Sequence, residues 1–285
     1  MLILDLFGFF LSSLGFKGLQ IVSRILGFIA FDLLRIRRKV ILENLNIAFG
    51  SELSIEQRIN LGRESTSNFI LTTLEFMGSK GLYPKAKVRI TGHKIALDAL
   101  ARKKGILFLG THTSNFELMC ALGTKHVAPA HGVTKAVGSG AFEAWVRKRR
   151  SENGEFEIKR DAQHRGQTEI LAVLDKNETI GFMVDQRRKK GIVAPFFGKP
   201  ALTNSGLFYF KLLRPGVAIV PVLIYRHAPG DFEFIFWDEI LAERNGNESD
   251  TEFIERHTIA MNILVEKIVR SRPQEYFWMH KRWKM

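Results

Sequence analysis

Two residues in the run GILFLGTHTSNFELMCAL, Gly105 to Leu122, have types and spacing that can do chemistry. His112 follows a short apolar strand, and Glu117 comes five residues later. Gly110 and Thr111 end the strand. Thr113, Ser114 and Asn115 are residue types that open helices, and Phe116 onward has helical character. Five residues along one continuous helix would point two side chains about 140° apart. With His112 before the helix and Glu117 in its first turn, the two can meet. A glutamate on one ring nitrogen would fix the tautomer and steady the imidazolium while the other nitrogen takes a proton. That pair is a base and its orienter, with the nucleophile left to a substrate. A lone histidine before a helix also serves as a cap or a packed core residue, so both readings stand at this point. No third histidine or acid lies near His112 at a metal-ligand spacing, and no metal is expected.

The surrounding elements can position such a pair. From Lys87 onward the apolar runs KVRITG, GILFLG, ETIGFMVD, GVAIVPVLIY and FEFIFW read as strands. Helical segments lie between and after them, at 93–102, 115–122, 141–150, 168–175, 204–213 and 251–271. This alternation predicts an α/β domain with a central mixed, largely parallel sheet flanked by helices. His112 then sits at the C-terminal end of a strand, where open α/β sheets bind ligands. Asp185, after the strand ETIGFMV, falls at the same end.

The first 50 residues differ. Asp5, Ser12, Ser13, Lys17, Gln20 and Arg24 recur at helical spacing on an otherwise apolar helix. The expectation is a membrane helix, spanning or interfacial, with the polar stripe against protein; a core helix is the plainer reading. Asp5 near its start and the lack of a basic leader argue against a cleaved signal peptide. RIRRK at 35–39 favours a cytoplasmic, anionic surface. Two units are therefore expected: a membrane-associated helical segment, 1–50, and an α/β domain, 51–285. Ser54 and Gln57 have the spacing of a capping box.

The chain has 285 residues, a formal charge of +13 and one cysteine, so an intrachain disulfide is excluded. The charge points to an anionic partner. The apolar N-terminus, and the absence of a zinc finger, an Arg-rich tail or an RNA-binding aromatic box, argue against nucleic acid.

Five segments in order resemble the bacterial late acyltransferases of lipid A biosynthesis, within the glycerolipid acyltransferase superfamily. They are RRKVILENLNIAFG, THTSNFE as the His-x4-Glu box, RRSENG at 149–154, GFMVDQ with VAPFFGKPALTNSG, and PQEYFWMHKRWK at 273–284. The resemblance implies transfer of a fatty acyl chain from an acyl-carrier-protein thioester to a hydroxyl of a lipid A precursor, without cofactor. It implies His112 as general base and Glu117 as its orienter. Arg150 and Asp185 match positions that cluster at the family's site, where an Arg–Asp pair would hold the geometry or meet acceptor phosphates. Thr203 would cap a turn in which Asn204, Ser205 and Gly206 present backbone N–H groups to a phosphate or oxyanion. Phe196 and Phe197 suit an acyl pocket or plain core, and Cys120 suits the core. The implied partners are acyl carrier protein, an anionic glycolipid acceptor and a membrane surface, at the cytoplasmic side of a bacterial inner membrane. Lysophospholipid, ornithine-lipid and other glycolipid acceptors fit the same boxes, and a non-catalytic basic membrane scaffold is the alternative from another class. TNSG stands where the family has a run of threonines, and VAPAHGVTKAVGSGAFEAW lacks the usual Tyr-Arg-Pro start.

Overall fold

The computed structural model describes residues 1–134, 138, 140–159 and 165–284. Three helices open the chain: α1 (Leu2–Phe28, running on into a π-helical turn, Ile29–Leu33), α2 (Arg38–Phe49) and α3 (Ile55–Met77). The short α4 (Ser79–Leu82) leads to β1 (Lys87–Thr91), α5 (His93–Ala101), β2 (Ile106–Gly110), α6 (Glu117–His126) and β3 (Ala130–Thr134). Then come α7 (Gly140–Glu152), β4 (Glu155–Lys159), α8 (Arg165–Asp175), β5 (Thr179–Met183), β6 (Arg187–Phe196) and β7 (Lys199–Thr203). The chain closes with α9 (Gly206–Leu213), β8 (Ala218–Ala228), β9 (Asp231–Phe236) and α10 (Asp250–Ser271).

Seven strands form one sheet in the order β1-β9-β8-β2-β5-β3-β4, and β6–β7 form a separate antiparallel hairpin. Every pairing in the main sheet is parallel except β8 with β9. This is the mixed, largely parallel sheet expected from the alternating runs. All five residues of β2 are buried, as a central parallel strand covered on both faces requires. β3, β4 and the hairpin were not anticipated. AHGVT and EFEIK carry a histidine, a glycine and glutamates that dilute the apolar signal, and Pro195 and Gly198 interrupt the hairpin segment. The helical segments match α5 to α10 within a few residues at each end, and Ser54 and Gln57 form the expected capping box. The departure noted within VAPAHGVTKAVGSGAFEAW falls partly at 135–137 and 139, outside the described residues.

Residues 1–50 share the body of the protein. Ile41, Leu45 and Phe49 of α2 belong to the same core as Leu107, Phe182 and Trp278. α1 runs antiparallel along α3: Gly8 abuts the Met77 carbonyl and Gly27 abuts Ser67, so closely that a β-carbon at either position would clash. Leu11 and Leu19 are buried with Leu71 and Leu74 of α3. Asp5 accepts hydrogen bonds from Trp145 and Arg149 of α7. The polar stripe thus faces protein, in part. The rest of α1 is exposed and apolar, including Ile3 (80%), Phe9 (74%) and Ile21 (60%). The helix and its π-turn are long and apolar enough to cross a membrane. The same helix is seated along α3 on one side and leaves its outward apolar side exposed.

One buried polar cluster ties the helices to the sheet. Glu75 of α3 accepts from Arg226 of β8 at 2.6 Å and from Asn115 at 2.8 Å through the same carboxylate oxygen. Glu75 and Asn115 have no exposure, and the Arg226 side chain has 5%. Breaking a buried pair on one side strands the other charge, a cost of about 3–5 kcal/mol. Glu75→Ala is therefore expected to lower the unfolding free energy by about that much in detergent solution, and Glu75→Met with Arg226→Met to recover most of it. Denaturant titrations of the three proteins check this.

Candidate active site

The site grows out of one strand pairing. β2 and β5 run parallel and in register to their last residues, Gly110 opposite Met183. The next backbone bond, from Val184 N–H to the Gly110 carbonyl (3.1 Å), carries the alignment past the strands. His112 and Asp185 therefore leave the sheet side by side. The His112 Nδ1–H donates to Asp185 Oδ1 at 2.8 Å, and the His112 backbone N–H donates to Oδ2 at 3.0 Å. Asp185 is fully buried. Burial alone would raise its carboxyl, but the His112 charge and these two hydrogen bonds outweigh it and hold the group below the usual carboxylate value. In the neutral ring a carboxylate at Nδ1 fixes the tautomer, with the proton on Nδ1 and the lone pair on Nε2.

The carboxylate on the His112 ring is that of Asp185, where the sequence reading expected Glu117. Glu117 instead grips Arg150 of α7 with both oxygens, at 2.8 and 3.0 Å, and Arg150 does not pair with Asp185. The two expected pairs have exchanged partners. The reason is lateral: α6 packs over β3 and β4, and α7 leads into β4, so Glu117 meets Arg150 near the end of α7 rather than the end of β5. Arg150 also lies 3.7 Å from Glu155. Burial works against the Arg150 charge, but Glu117, then Glu155 and Glu157, override it and keep the guanidinium protonated. Glu155 itself is pushed well above the ordinary range, first by burial and then by the Glu117 charge.

His112 and Glu117 both line a cavity of about 450 Å³. Arg150, Glu155, Gln186, Arg187, Arg188 and Asn204 share its wall. Its apolar lining comes from Phe108, Met119, Phe182, Val222 and Phe234 among others, with Cys120 alongside. Burial pushes the Cys120 thiol up, which disfavours the thiolate that a nucleophile would need. Phe196 and Phe197 lie in the core, stacked near Trp283 and Trp278, away from the cavity.

The remaining residues singled out in the sequence divide. Asn204 faces the cavity and accepts from the Gly206 N–H at 3.1 Å. Thr203 is fully buried and caps nothing: it accepts from Arg282 (2.8 Å) and Asn262 (3.1 Å). Ser205 precedes α9 without a capping hydrogen bond. Asn115 anchors the loop to Glu75, and Tyr83 donates to its oxygen at 3.3 Å.

The C-terminal box is the part that spacing did not flag as a positioner. Residues 275–277 lie antiparallel to the His112 loop, with Thr113 opposite Tyr276. Phe277 N–H donates to the His112 carbonyl and Ser114 N–H to the Glu275 carbonyl, both at 3.0 Å. Ser114 is thereby held with a left-handed backbone (φ 51°), a local strain of the kind found at working loops. Ser65 of α3 and Asn44 of α2 bind the strap's carbonyls from behind, at Tyr276 (2.6 Å) and Trp278 (2.8 Å). His280 accepts from the Arg187 N–H at 2.8 Å, and burial pushes it down to about 4, so it stays neutral.

Glu155 gives the site a pH signature. Its carboxyl rises from 4.5 in the unfolded chain to about 8 in the folded one. The folded state keeps a proton that the unfolded state has lost, so this group's contribution falls as pH rises between those values. Glu155→Gln is expected to flatten that part of the decline, read as a smaller loss of melting temperature than wild type between pH 6 and pH 8.5.

The family described as bacterial lipid A biosynthesis acyltransferase matches residues 3–285. A lipid A biosynthesis palmitoleoyltransferase of Escherichia coli (strain K12) is 27% identical over 270 residues, covering 91% of this chain and 82% of its own length. A lipid A biosynthesis lauroyltransferase of the same organism is 23% identical over 275 residues, covering 91% and 83%. A lipid A biosynthesis acyltransferase of Shigella flexneri matches at 27% over 270 residues. The match extends from α1 through the sheet and the His112 loop to the C-terminal strap, and on that ground the chain belongs to the bacterial lipid A biosynthesis acyltransferases.

Proposed function

We propose that the protein moves a fatty acyl chain from an acyl-carrier-protein thioester to a hydroxyl of a lipid A precursor, at the cytoplasmic face of a bacterial inner membrane. The observation that carries this is His112: Nδ1 is held by a buried carboxylate, and the ring lines a cavity with both apolar and basic walls. Nε2 takes the proton of the acceptor hydroxyl as its oxygen attacks the thioester carbon. Asp185 steadies the imidazolium so formed. Collapse of the adduct releases the thiol, which takes the proton back from His112. No enzyme-bound acyl group is required, in keeping with the raised pKa of the Cys120 thiol.

The apolar walls suit an acyl chain. Arg187 and Arg188 suit the phosphates of the acceptor or the acidic surface of a carrier protein. The relatives named for palmitoleoyl and lauroyl transfer support a fatty acyl donor. The exposed apolar side of α1 supports a seat on the membrane that holds the acceptor.

The mechanism makes two demands. His112→Ala is expected to cut turnover about 10²–10⁴-fold, and Asp185→Asn to lower it strongly with the fold intact. The test offers membranes a mixture of acyl-carrier-protein thioesters with a lipid A precursor and a lysophospholipid, and mass spectrometry reads which lipid gains an acyl chain. Acylation of the lysophospholipid alone would reassign the acceptor; equal activity in wild type and His112→Ala would sink the mechanism. Ile3→Asp with Ile21→Asp is expected to weaken partition onto anionic vesicles, measured by flotation, without lowering the melting temperature.

A further inference from the structure

The lone pair that the base needs is already occupied. The amide nitrogen of Gln186 stands 3.2 Å from His112 Nε2, inside the cavity. With Asp185 a carboxylate at Nδ1, Nε2 is an acceptor, and the amide N–H₂ is the group that can donate to it. An acceptor hydroxyl has to give its proton to this same nitrogen. It reaches Nε2 only by displacing the amide.

We infer that Gln186 is a catalytic residue of the acyl transfer: its amide caps His112 Nε2 in the resting site, yields that nitrogen to the acceptor hydroxyl, and then donates an N–H to the thioester oxygen. The inference rests on the acyl-transfer reading above. Gln186 follows Asp185 directly, so the amide cannot move far from the base once displaced. The attacked carbonyl lies one bond beyond the attacking oxygen, and its oxygen becomes an oxyanion as the C–O bond forms. A displaced amide donor beside the base is suited to that charge. As the adduct collapses, the C–S bond breaks, the oxyanion becomes the ester carbonyl, and the imidazolium proton goes to the leaving thiolate. Gln186 can then return to Nε2. Each state of the cycle leaves the amide with an acceptor and the base with a donor.

The neighbourhood supports the assignment. Phe116 and Phe277 lie edge-on or tilted against the His112 ring, with centroids at 4.9 and 6.2 Å, and limit other approaches to it. Among the described residues, the charged and titratable groups around the site include Asp185, Glu117 with Arg150, Glu155, Arg187, Arg188, Cys120, Tyr276 and His280. Among the described residues, the only hydrogen-bond donor recorded at His112 Nε2 is Gln186.

The test compares wild type, Gln186→Ala, Gln186→Glu and His112→Ala on the same thioester and acceptor, with kcat and KM measured from pH 5 to 9. The expected result for Gln186→Ala is a fall in kcat of about 10²–10³-fold, the usual loss for one oxyanion donor. The acid limb of its kcat/KM profile should also move to higher pH, because the N–H that favours a neutral base is gone. A residue that only supports the fold would lower activity without moving that limb. Gln186→Glu keeps the size and removes the donors; it should lose kcat similarly and move the limb further, and it serves if the alanine variant fails to fold. If His112→Ala is dead and either Gln186 variant keeps wild-type kcat and an unmoved limb, the Gln186 assignment is overturned while the base stands. If His112→Ala keeps wild-type activity, the base itself is wrong and Gln186 falls with it.

Discussion

The register between β2 and β5 is the constraint on which the site depends. Parallel strands that end level project the two following segments together, and here those segments carry His112 and Asp185. A slip of one residue would turn every side chain of β2 to the opposite face and part the pair. The fit of the β2 side chains opposes that slip, because Leu107 and Leu109 fill one core cluster and Ile106 and Phe108 the other. The His112–Asp185 geometry is thus stabilised by the same apolar contacts that stabilise the sheet.

Around that pairing the protein uses buried polar groups as fasteners. Glu75 joins α3, β8 and the His112 loop through Arg226 and Asn115. Thr72 of the same helix donates to the Ser114 carbonyl at 2.8 Å. α3 therefore holds the loop from one side while the C-terminal strap holds it from another. Such fasteners contribute less net stability than apolar packing of the same volume. What they supply is a defined position for a loop whose backbone, at Ser114, is not relaxed.

The sheet was legible because its central strands are nearly unbroken apolar runs, and the placement of His112 and Asp185 at strand ends followed from it. Their partnership was not legible. A sequence shows that two residues end two strands, but not that those strands are neighbours; here β3 and β4 also follow β2 in the chain, and neither lies between β2 and β5. Spacing within one segment favoured Glu117 as the partner, and tertiary packing gave Glu117 to Arg150. Asn115 and Thr203 looked like caps because their types and positions fit caps, yet each is spent on a long-range contact. Gln186 carried no signal of its own beyond its place next to Asp185. The outward face of α1 was the clearest reading of all, since no partner inside the protein competes for it.

The strap has a consequence for biosynthesis. His112 obtains its main-chain partner from Phe277, far downstream, so synthesis must pass the C-terminal box before the loop can close. α1, with its exposed apolar side, is made first and is available to lipid while the remainder is still being translated. The nascent chain can settle on the membrane long before the His112 loop takes its final shape. A chain cut short before the strap would keep the membrane-seeking helix and β2, and would lack the backbone contacts that shape the His112 loop.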